Sequence, residues 1–397
     1  MAGQVQQIVL KCSSGKHRVR LNPQKFWAGA RCPVCRTAID PSRMRRIIAS
    51  LAKKMPRIRS LRLPVVRIPR DRLGQVLVGA ALSYFGIVLG TWVLLWVFGD
   101  RWWPGTLVLF GPRWVFLLPA LALVPLVAWK QRMLLVPTLL ATLVVVGPIM
   151  GYRTGFGAGA EDEPYDLRVM TYNIASGRTL TRAMWEIVAV TEVDVAAFQE
   201  CSREVFRRLL EVEEWHHDFS GSACLSSRFP IESIDMMERD TFAAAGGSGM
   251  VVRYTLATPK GRIGLVTVHL DTPREGLEPI RSGELASGLP KLREKTMVRN
   301  VESRQAREWA RAGVHPFVVT GDFNMPVESN IYERYWSDLN NAFDRAGRGF
   351  GATRYNGWIR ARIDHVLYSD GLSAVRSYVG PDFGSDHRPM IADLRWR

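Results

Sequence analysis

Cysteine is scarce in this sequence: five in 397 residues, Cys12, Cys32, Cys35, Cys201 and Cys224. That is too few for a disulfide scaffold. Acidic residues are scarce as well in the first 152 residues, and the first 72 of these are dense in basic ones. Residues 1–72 hold 18 Lys and Arg against 2 Asp and Glu, a net +16. Residues 73–152 carry +3, and residues 153–397 carry −3, from 31 basic against 34 acidic side chains. The formal excess of +16 therefore belongs to the first 72 residues, and the chain-wide charge does not describe a basic nucleic-acid binder. Charge of either sign is missing altogether from residues 73–98 and 133–150. That absence argues against ordinary buried helices of a soluble domain. No cleavable signal peptide is evident, because 72 residues of polar and basic character precede the first apolar run. The length predicts two or three structural units.

The uncharged run 73–98 is long enough to cross a ~30 Å hydrocarbon core at ~1.5 Å per residue. Asp100-Arg-Trp-Trp-Pro104 follows it, and paired tryptophans suit a membrane interface. A second run, 106–129, is interrupted at Pro112-Arg113. It spans comfortably if Arg113 snorkels toward a headgroup. Lys130-Gln-Arg132 makes a tight basic turn before the third run, 133–150, whose Pro137 and Pro148 are tolerable in a membrane helix. The sequence thus predicts a transmembrane region over 73–151 with three spans. The Lys and Arg of 1–72 and of the turn 130–132 are expected to face the cytoplasm, which puts everything after Met150 on the extracytoplasmic side. A re-entrant second run would reverse that parity. Residues 152–164, Gly-rich and then acidic, read as a flexible linker.

Ahead of the membrane region, Cys32-Pro-Val-Cys35 forms a C-x2-C knuckle, with Cys12 and His17 upstream. Three thiolates and one imidazole make a closed tetrahedral Zn²⁺ site, structural because no position is left open for chemistry. The segment 1–42 resembles a small zinc ribbon, with C-x4-H where such ribbons usually have C-x2-C. Residues 43–72 then read as a basic linker, with prolines at 56, 64 and 69, suited either to anionic lipid or to a solvated tether. No protein partner of this segment is legible.

The C-terminal part, 165–397, alternates short strand-like runs with helical patterns and is long enough for one sizeable core. Its organising stretch is Val318-Val-Thr-Gly-Asp-Phe-Asn-Met-Pro326, where Gly321 is expected to end a buried strand. Asp322 and Asn324 are two apart, so on an extended backbone they would point the same way. Leu167-Arg-Val-Met-Thr-Tyr-Asn173 is a strand delivering Asn173, and Val193-Asp-Val-Ala-Ala-Phe-Gln-Glu200 a second one ending in a carboxylate suited to a hard cation. Helices are expected over 181–190, 202–210 and 301–312, and single strand runs over 223–231 and 250–254. The strand Ile263-Gly-Leu-Val-Thr-Val-His269 carries His269 at its end, two residues before Asp271. Residues 271–297 read as a long irregular insertion. Arg362-Ile-Asp364-His-Val-Leu-Tyr368 is a strand with Asp364 near its start, and Gly384-Ser-Asp386-His387-Arg-Pro389 precedes a closing strand, 390–394.

The ordered set TYN, QE, VHLD, GDFN, RIDHVLY and SDHRP resembles the endonuclease/exonuclease/phosphatase superfamily of metal-dependent phosphodiesterases, over about 165–397. The resemblance implies a four-layer α/β sandwich, two packed β-sheets flanked by helices, with the site at one end. It implies Mg²⁺ (or Mn²⁺) held by Glu200, Asn173 and Asp386. Asp322 matches the group that orients or deprotonates water, Asn324 a phosphate contact, and His387, paired with Asp364, a contact to the scissile phosphate. Either Asp322 or His387 is the base. His269 matches a second phosphate-contacting histidine, and Arg304 a supporting arginine in substrate binding. Ala175 stands two residues after Asn173, where some relatives place a polar group.

Two readings follow. In the first, the chain is a membrane-anchored, multi-pass phosphodiesterase or phosphatase acting on nucleic acid or a phospholipid headgroup by in-line attack of an activated water. In the second, it is a non-catalytic membrane-anchored binding module that retains the fold. The intact set Asn173, Glu200, Asp322, Asn324, Asp364 and His387 favours the first. Cys201 and Cys224 are free to pair if the domain is exported, which spacing does not decide.

Overall fold

The computed structural model describes the backbone of residues 8–11 and 18–21, and residues 71–397 other than 161, 178, 179, 181, 212, 213, 244 and 245. The chain divides into two units, Met1–Arg67 and Ile68–Arg397. In the first, β1 (Ile8–Lys11) and β2 (Arg18–Leu21) pair antiparallel. Cys12, His17, Cys32 and Cys35, expected to hold zinc, lie outside the described residues.

The second unit begins with helices. Asp71 caps α1 (Arg72–Val97) by accepting from the Gly74 amide at 3.1 Å. Next come α2 (Trp103–Phe110), a 3-10 turn leading into α3 (Leu118–Lys130), and α4 (Leu135–Val144). Three stretches, Arg72–Val97, Arg113–Lys130 and Arg132–Ile149, are long and apolar enough to cross a membrane. At one end of the bundle Lys130 Nζ lies 3.3 Å from Asp71 Oδ2. At the other end, Arg113 donates to the Leu109 carbonyl, to the Ile149 carbonyl at 2.7 Å and to Glu328 Oε2 at 2.9 Å. The second run thus starts at Arg113 rather than at 106. Its arginine does not snorkel, because carbonyls freed at helix ends and a carboxylate satisfy the guanidinium where it is. Asp100 is buried alongside, accepting from Ser329 Oγ at 2.5 Å and from the Asn330 amide at 3.1 Å.

Residues 152–164 are not a free linker. The strand β3 (Arg153–Thr154) pairs with residues 348–349, and Arg153 Nε donates to Asp344 at 2.7 Å.

The strands that follow, in chain order, are β4 (Leu167–Asn173), β5 (Val195–Gln199), β6 (His216–Ser220), β7 (Ala223–Ser227), β8 (Ile231–Met236), β9 (Met250–Thr258), β10 (Gly261–His269), β11 (Phe317–Asp322), β12 (Asn340–Asn341), β13 (Arg348–Gly349), β14 (Arg354–Asn356), β15 (Ile359–Ala361), β16 (Asp364–Tyr368), β17 (Leu372–Val379) and β18 (Met390–Trp396). Two six-stranded mixed sheets result, ordered β17-β18-β4-β5-β7-β6 and β12-β16-β11-β10-β9-β8. The run expected over 223–231 is two strands, β7 and β8, in different sheets. The helices α5 (Met184–Thr191) and α6 (Arg203–Leu209) pack on the outer face of the first sheet through Ile187, Val205 and Leu209. Beyond the short α7 (Arg239–Ala243) come α8 (Arg274–Arg281), α9 (Leu285–Arg311) and α10 (Asn330–Trp336). The last two cover the second sheet through Ala306, Ala310, Ile331 and Trp336.

Residues 271–297, expected to be irregular, thus form α8 and the first half of α9. The buried stripe of α9 is partly polar: Lys295, Arg299 and Glu302 recur at helical spacing. Lys295 Nζ reaches Asp271 at 2.9 Å, and Glu302 accepts from the Gly249 and Asp271 amides at 2.8 and 2.7 Å. Hydrophobic periodicity cannot show a face built of buried charges.

Each sheet contains one parallel pair, β4 with β5 and β10 with β11. Alternate residues of these strands face the other sheet. Leu167, Val169, Val195, Leu265, Val318 and Val366 form the apolar core between the sheets. Further along the same faces come hydroxyls and an amide. Thr171 Oγ1 donates to Gln199 Oε1 at 3.1 Å, and Gln199 Nε2 donates to Thr267 Oγ1 at 3.1 Å, joining the two sheets. Beyond them the same faces end in Asn173, His269 and Asp322. The polarity of the interior therefore rises steadily toward one end of the sandwich.

Candidate active site

Because parallel strands end together, the register places Asn173 beside Gln199, and His269 beside Asp322. Asp364 arrives from the start of an antiparallel strand, in register with Asp322. Gly321 makes the approach possible. It lies within β11 at φ +147, and a Cβ there would stand 1.9 Å from the Val268 carbonyl oxygen. The strand runs on to Asp322, so Gly321 does not end it. Asn324 then adopts φ +50, so the extended-backbone argument for Asp322 and Asn324 does not hold. Asn324 instead donates its amide N–H to Asp322 Oδ1 at 2.8 Å and its side-chain Nδ2 to the Leu270 carbonyl at 2.8 Å. Glu200, the residue after β5, also sits left-handed, at φ +53. Each such residue costs ~1–3 kcal/mol and persists where the surroundings over-determine it. At Glu200 one such constraint is covalent: Cys201 is bonded to Cys224 on β7.

Asn173 Nδ2 donates to Glu200 Oε1 at 3.0 Å and to Asp322 Oδ2 at 3.1 Å. His269 Nε2 lies 3.9 Å from the same two oxygens. His387 Nε2 lies 3.7 Å from Asp322 Oδ2, and its Nδ1 is hydrogen-bonded to Asp364 Oδ2 at 2.8 Å. Ser385 fixes the turn that carries His387: its hydroxyl donates to the Asn173 carbonyl at 2.9 Å and accepts from the His387 amide at 3.1 Å. The side chains of Asp322 and His387 are 2% and 3% exposed, whereas Glu200 is 41% exposed and opens to the pocket.

Burial raises Asp322 above the usual carboxylate range, and the Asp364 charge raises it further, against the opposing pull of His387 and His269. For His387, burial disfavours the charged ring, but Asp364 and Asp322 outweigh it and lift the imidazole to about 9. His365, the residue after Asp364, shows the contrast: burial, then the Arg362 charge, push it down to about 4, and its Nε2 sits 2.9 Å from the Met325 carbonyl.

Two of the expected site residues are placed elsewhere. Asp386 turns to Arg354, with Oδ2 2.5 Å from its guanidinium, rather than to Glu200. A nearby cation in solvent holds a half-exposed carboxylate that no backbone donor fixes. Arg304 is exposed on α9 and lines no part of the pocket. The arginines that do line it are Arg274, Arg281 and Arg354. Arg354 was not singled out from the sequence, although its bridge to His387 puts it beside the site. A sequence signal for the supporting tier did exist. Val169-x-Thr171-x-Asn173, Leu265-x-Thr267-x-His269 and Val318-x-Thr320-x-Asp322 share one apolar–threonine–polar pattern at strand spacing.

The donor set fits a divalent cation. Asp322, Asp364 and His387 bring one ligand atom each within 4.8 Å of one another. Asp364 Oδ1 is buried without a hydrogen-bond partner, and Glu200 adds a carboxylate open to the pocket. Carboxylate oxygens suit a hard cation, and His387, charged and held by Asp364, stands beside them rather than among the ligands.

The sequence profile of the Endonuclease/Exonuclease/phosphatase family matches residues 170–387, more than half of the chain. The chain belongs to that family. Members of the Endonuclease/Exonuclease/phosphatase family are metal-dependent phosphoric ester hydrolases, and this chain is one. The matched span contains every polar residue of the cluster described above. Among solved structures, the chain is similar to an endonuclease/exonuclease/phosphatase from Beutenbergia cavernae DSM 12333 (18% identity, covering 59% of this chain and 72% of that one, TM-score 0.45). It is also similar to the 3'-5' exonuclease NExo from Neisseria meningitidis (16%, 58% and 100%, TM-score 0.44) and to the human Nocturnin catalytic domain (20%, 59% and 94%, TM-score 0.39). No curated protein matches the chain.

Proposed function

We propose that the protein is a membrane-anchored, Mg²⁺-dependent phosphodiesterase or phosphatase. One observation carries this reading: Asn173, Glu200, His269, Asp322 and His387, from four separate strands and a turn, form one unbroken series of contacts no longer than 3.9 Å. Glu200, with Asn173 bridging it to Asp322, would hold the metal from the pocket side. When bound, Mg²⁺ would neutralise phosphate charge and stabilise the developing oxyanion.

The chain's own residues supply the rest. Asp322 Oδ2 is the base assigned here, because Asn173, His269 and His387 all converge on it. It takes a proton from the attacking water as the water's oxygen bonds to phosphorus. The P–O bond to the leaving alcohol then breaks on the opposite side. His387, held by Asp364, and His269 face the phosphate oxygens, with Asn324 set at the rim. Asp386 is assigned instead to anchoring Arg354.

The domain plan proposed is a zinc-ribbon-like segment with structural Zn²⁺ (1–42), a basic linker (43–72), three spans (73–151) and the catalytic domain (165–397). The bundle end bearing Arg72, Lys130 and Arg132 is assigned to the cytoplasm. The Cys201–Cys224 disulfide supports placing the catalytic domain in an oxidising, extracytoplasmic compartment.

The test is hydrolysis of bis-p-nitrophenyl phosphate by the full chain in detergent. Turnover is expected with Mg²⁺, to vanish in EDTA, and to fall by ~10²–10⁴ in Asp322→Ala. Turnover that ignores EDTA, or that survives intact in Asp322→Ala, would defeat the reading.

A further inference from the structure

The pocket above Glu200, His269, Asp322 and His387 encloses about 810 Å³. A phosphodiester group fills only a small part of such a space, which is large enough for a drug-sized ligand. Its floor is polar, and its walls set apolar side chains beside the rim arginines Arg274, Arg281 and Arg354. One wall is Leu277 and Ile280 of α8, and another is Trp358 and Ile359 of the β14–β15 hairpin. The third is Leu107, Phe110 and Pro112. These three belong to the segment joining the first two candidate spans, not to the catalytic sandwich.

That segment is held in place from within the domain. Arg299 of α9 stands over the Phe110 ring at 5.5 Å and faces Asp100 at 3.9 Å, both side chains fully buried. The β14–β15 tip is tied to the start of the second span, where Trp114 Nε1 donates to the Trp358 carbonyl at 3.0 Å and the two rings lie 5.8 Å apart. Trp96, Trp102, Trp103 and Trp358 are all exposed at this level, as tryptophans at a membrane–water boundary are. The catalytic floor and the segment joining the first two candidate spans therefore share one cavity.

We infer that the substrate is a membrane lipid. Its phosphate ester reaches the Asp322–His387 floor while its first acyl or alkyl carbons lie against Leu107, Phe110 and Leu277. This rests on the phosphodiesterase reading above and adds the substrate class to it. A nucleic-acid strand would want a run of cations and stacking faces along the backbone. The part of the chain after residue 152 carries a net −3, and one side of the cavity is closed by apolar membrane residues. In the reaction, water adds to phosphorus, its proton passes to Asp322, and the P–O bond to one alcohol breaks. The departing alkoxide takes a proton from solvent, Asp322 returns its own to solvent, and the phosphate monoester stays on the other fragment.

The test holds the chemistry constant and varies the chain. Methyl, butyl and octyl p-nitrophenyl phosphate are compared with p-nitrophenyl thymidine 5'-phosphate, using the full chain with Mg²⁺, all below the micellar range of the probes. The value of kcat/KM is expected to rise at least ~10-fold from methyl to octyl, because each methylene leaves water for the wall. Leu107→Glu and, separately, Leu277→Glu are expected to remove most of that rise. A flat series, or a preference for the thymidine diester over the octyl one, would overturn the lipid assignment while leaving the phosphodiesterase reading intact. Failure to cleave any of the four with Mg²⁺ would defeat the phosphodiesterase reading itself. The chain-length series on the unaltered protein decides the matter even if neither variant folds.

Discussion

At the scale of single residues, the pair Asp364–His387 governs the site. Asp364 is buried, in register with Asp322, and would be left facing a second carboxylate without the imidazole between them. A charged His387 resolves that conflict, and it makes the metal-free protein sensitive to pH in a definite direction. The folded imidazole is raised to about 9, against about 6.5 in an unfolded chain. Its contribution is therefore fully present below pH ~6.5 and is lost as pH rises through about 9. Thermal stability in EDTA is expected to decline across that window by an amount on the order of 3 kcal/mol. Asp364→Asn removes a charge that lifts the imidazole, so the decline should begin at lower pH. Melting curves that fall at the same pH in wild type and Asp364→Asn would place the titration on another group. The reliance of His387 on Asp364 was legible from the motif pair RID and SDH. The role of Ser385, which fixes the turn, was not, because a serine in a turn has many commoner uses.

At the scale of elements, the disulfide is the feature with the clearest energetic consequence. It closes a 23-residue separation and ties the left-handed Glu200 turn to β7. By loop-closure entropy such a link stabilises by ~3 kcal/mol. Replacing both cysteines by serine should therefore lower the denaturant midpoint, and by loosening Glu200 should also lower Mg²⁺-dependent turnover. A double variant matching wild type in both measurements would show that the turn is held by its hydrogen bonds alone. The site-bearing strands were readable in the sequence as short apolar runs with a polar residue at the end, but their parallel pairing was not. α8 and the first half of α9 were not readable. Lys295, Arg299 and Glu302 are buried only because Asp271, Asp100 and the Gly249 amide meet them, and those partners come from distant parts of the chain.

At the scale of the whole molecule, the catalytic domain is not tethered at a distance. Buried polar contacts, Asp100 with Ser329 and Asn330, and Arg113 with Glu328, fix it against one end of the helices. Breaking one partner of such a pair strands the other charge away from water, so the two parts are coupled. With Asp71 and Lys130 at the far end of the bundle, the three stretches alternate in direction, and the proposed topology assumes that all three cross. Alkaline phosphatase fused after Arg397 is expected to be active, and the same enzyme fused after Lys130 inactive. The reverse pattern would put the catalytic site in the cytoplasm.

What the sequence determined by itself was local: a net basic excess confined to the first 72 residues, apolar runs long enough to span, and the strand-end motifs that carry Asn173, Glu200, His269, Asp322, Asp364 and His387. Each of these depends on composition or on spacing within a few residues. Only the tertiary structure decided what stands opposite them. It turned Asp386 to Arg354, left Arg304 in solvent, buried Arg113 against Glu328, and set Leu107 and Phe110 into the wall of the catalytic pocket. Those outcomes depend on which distant segment supplies the partner for a charge or an apolar surface, and that is settled by packing alone.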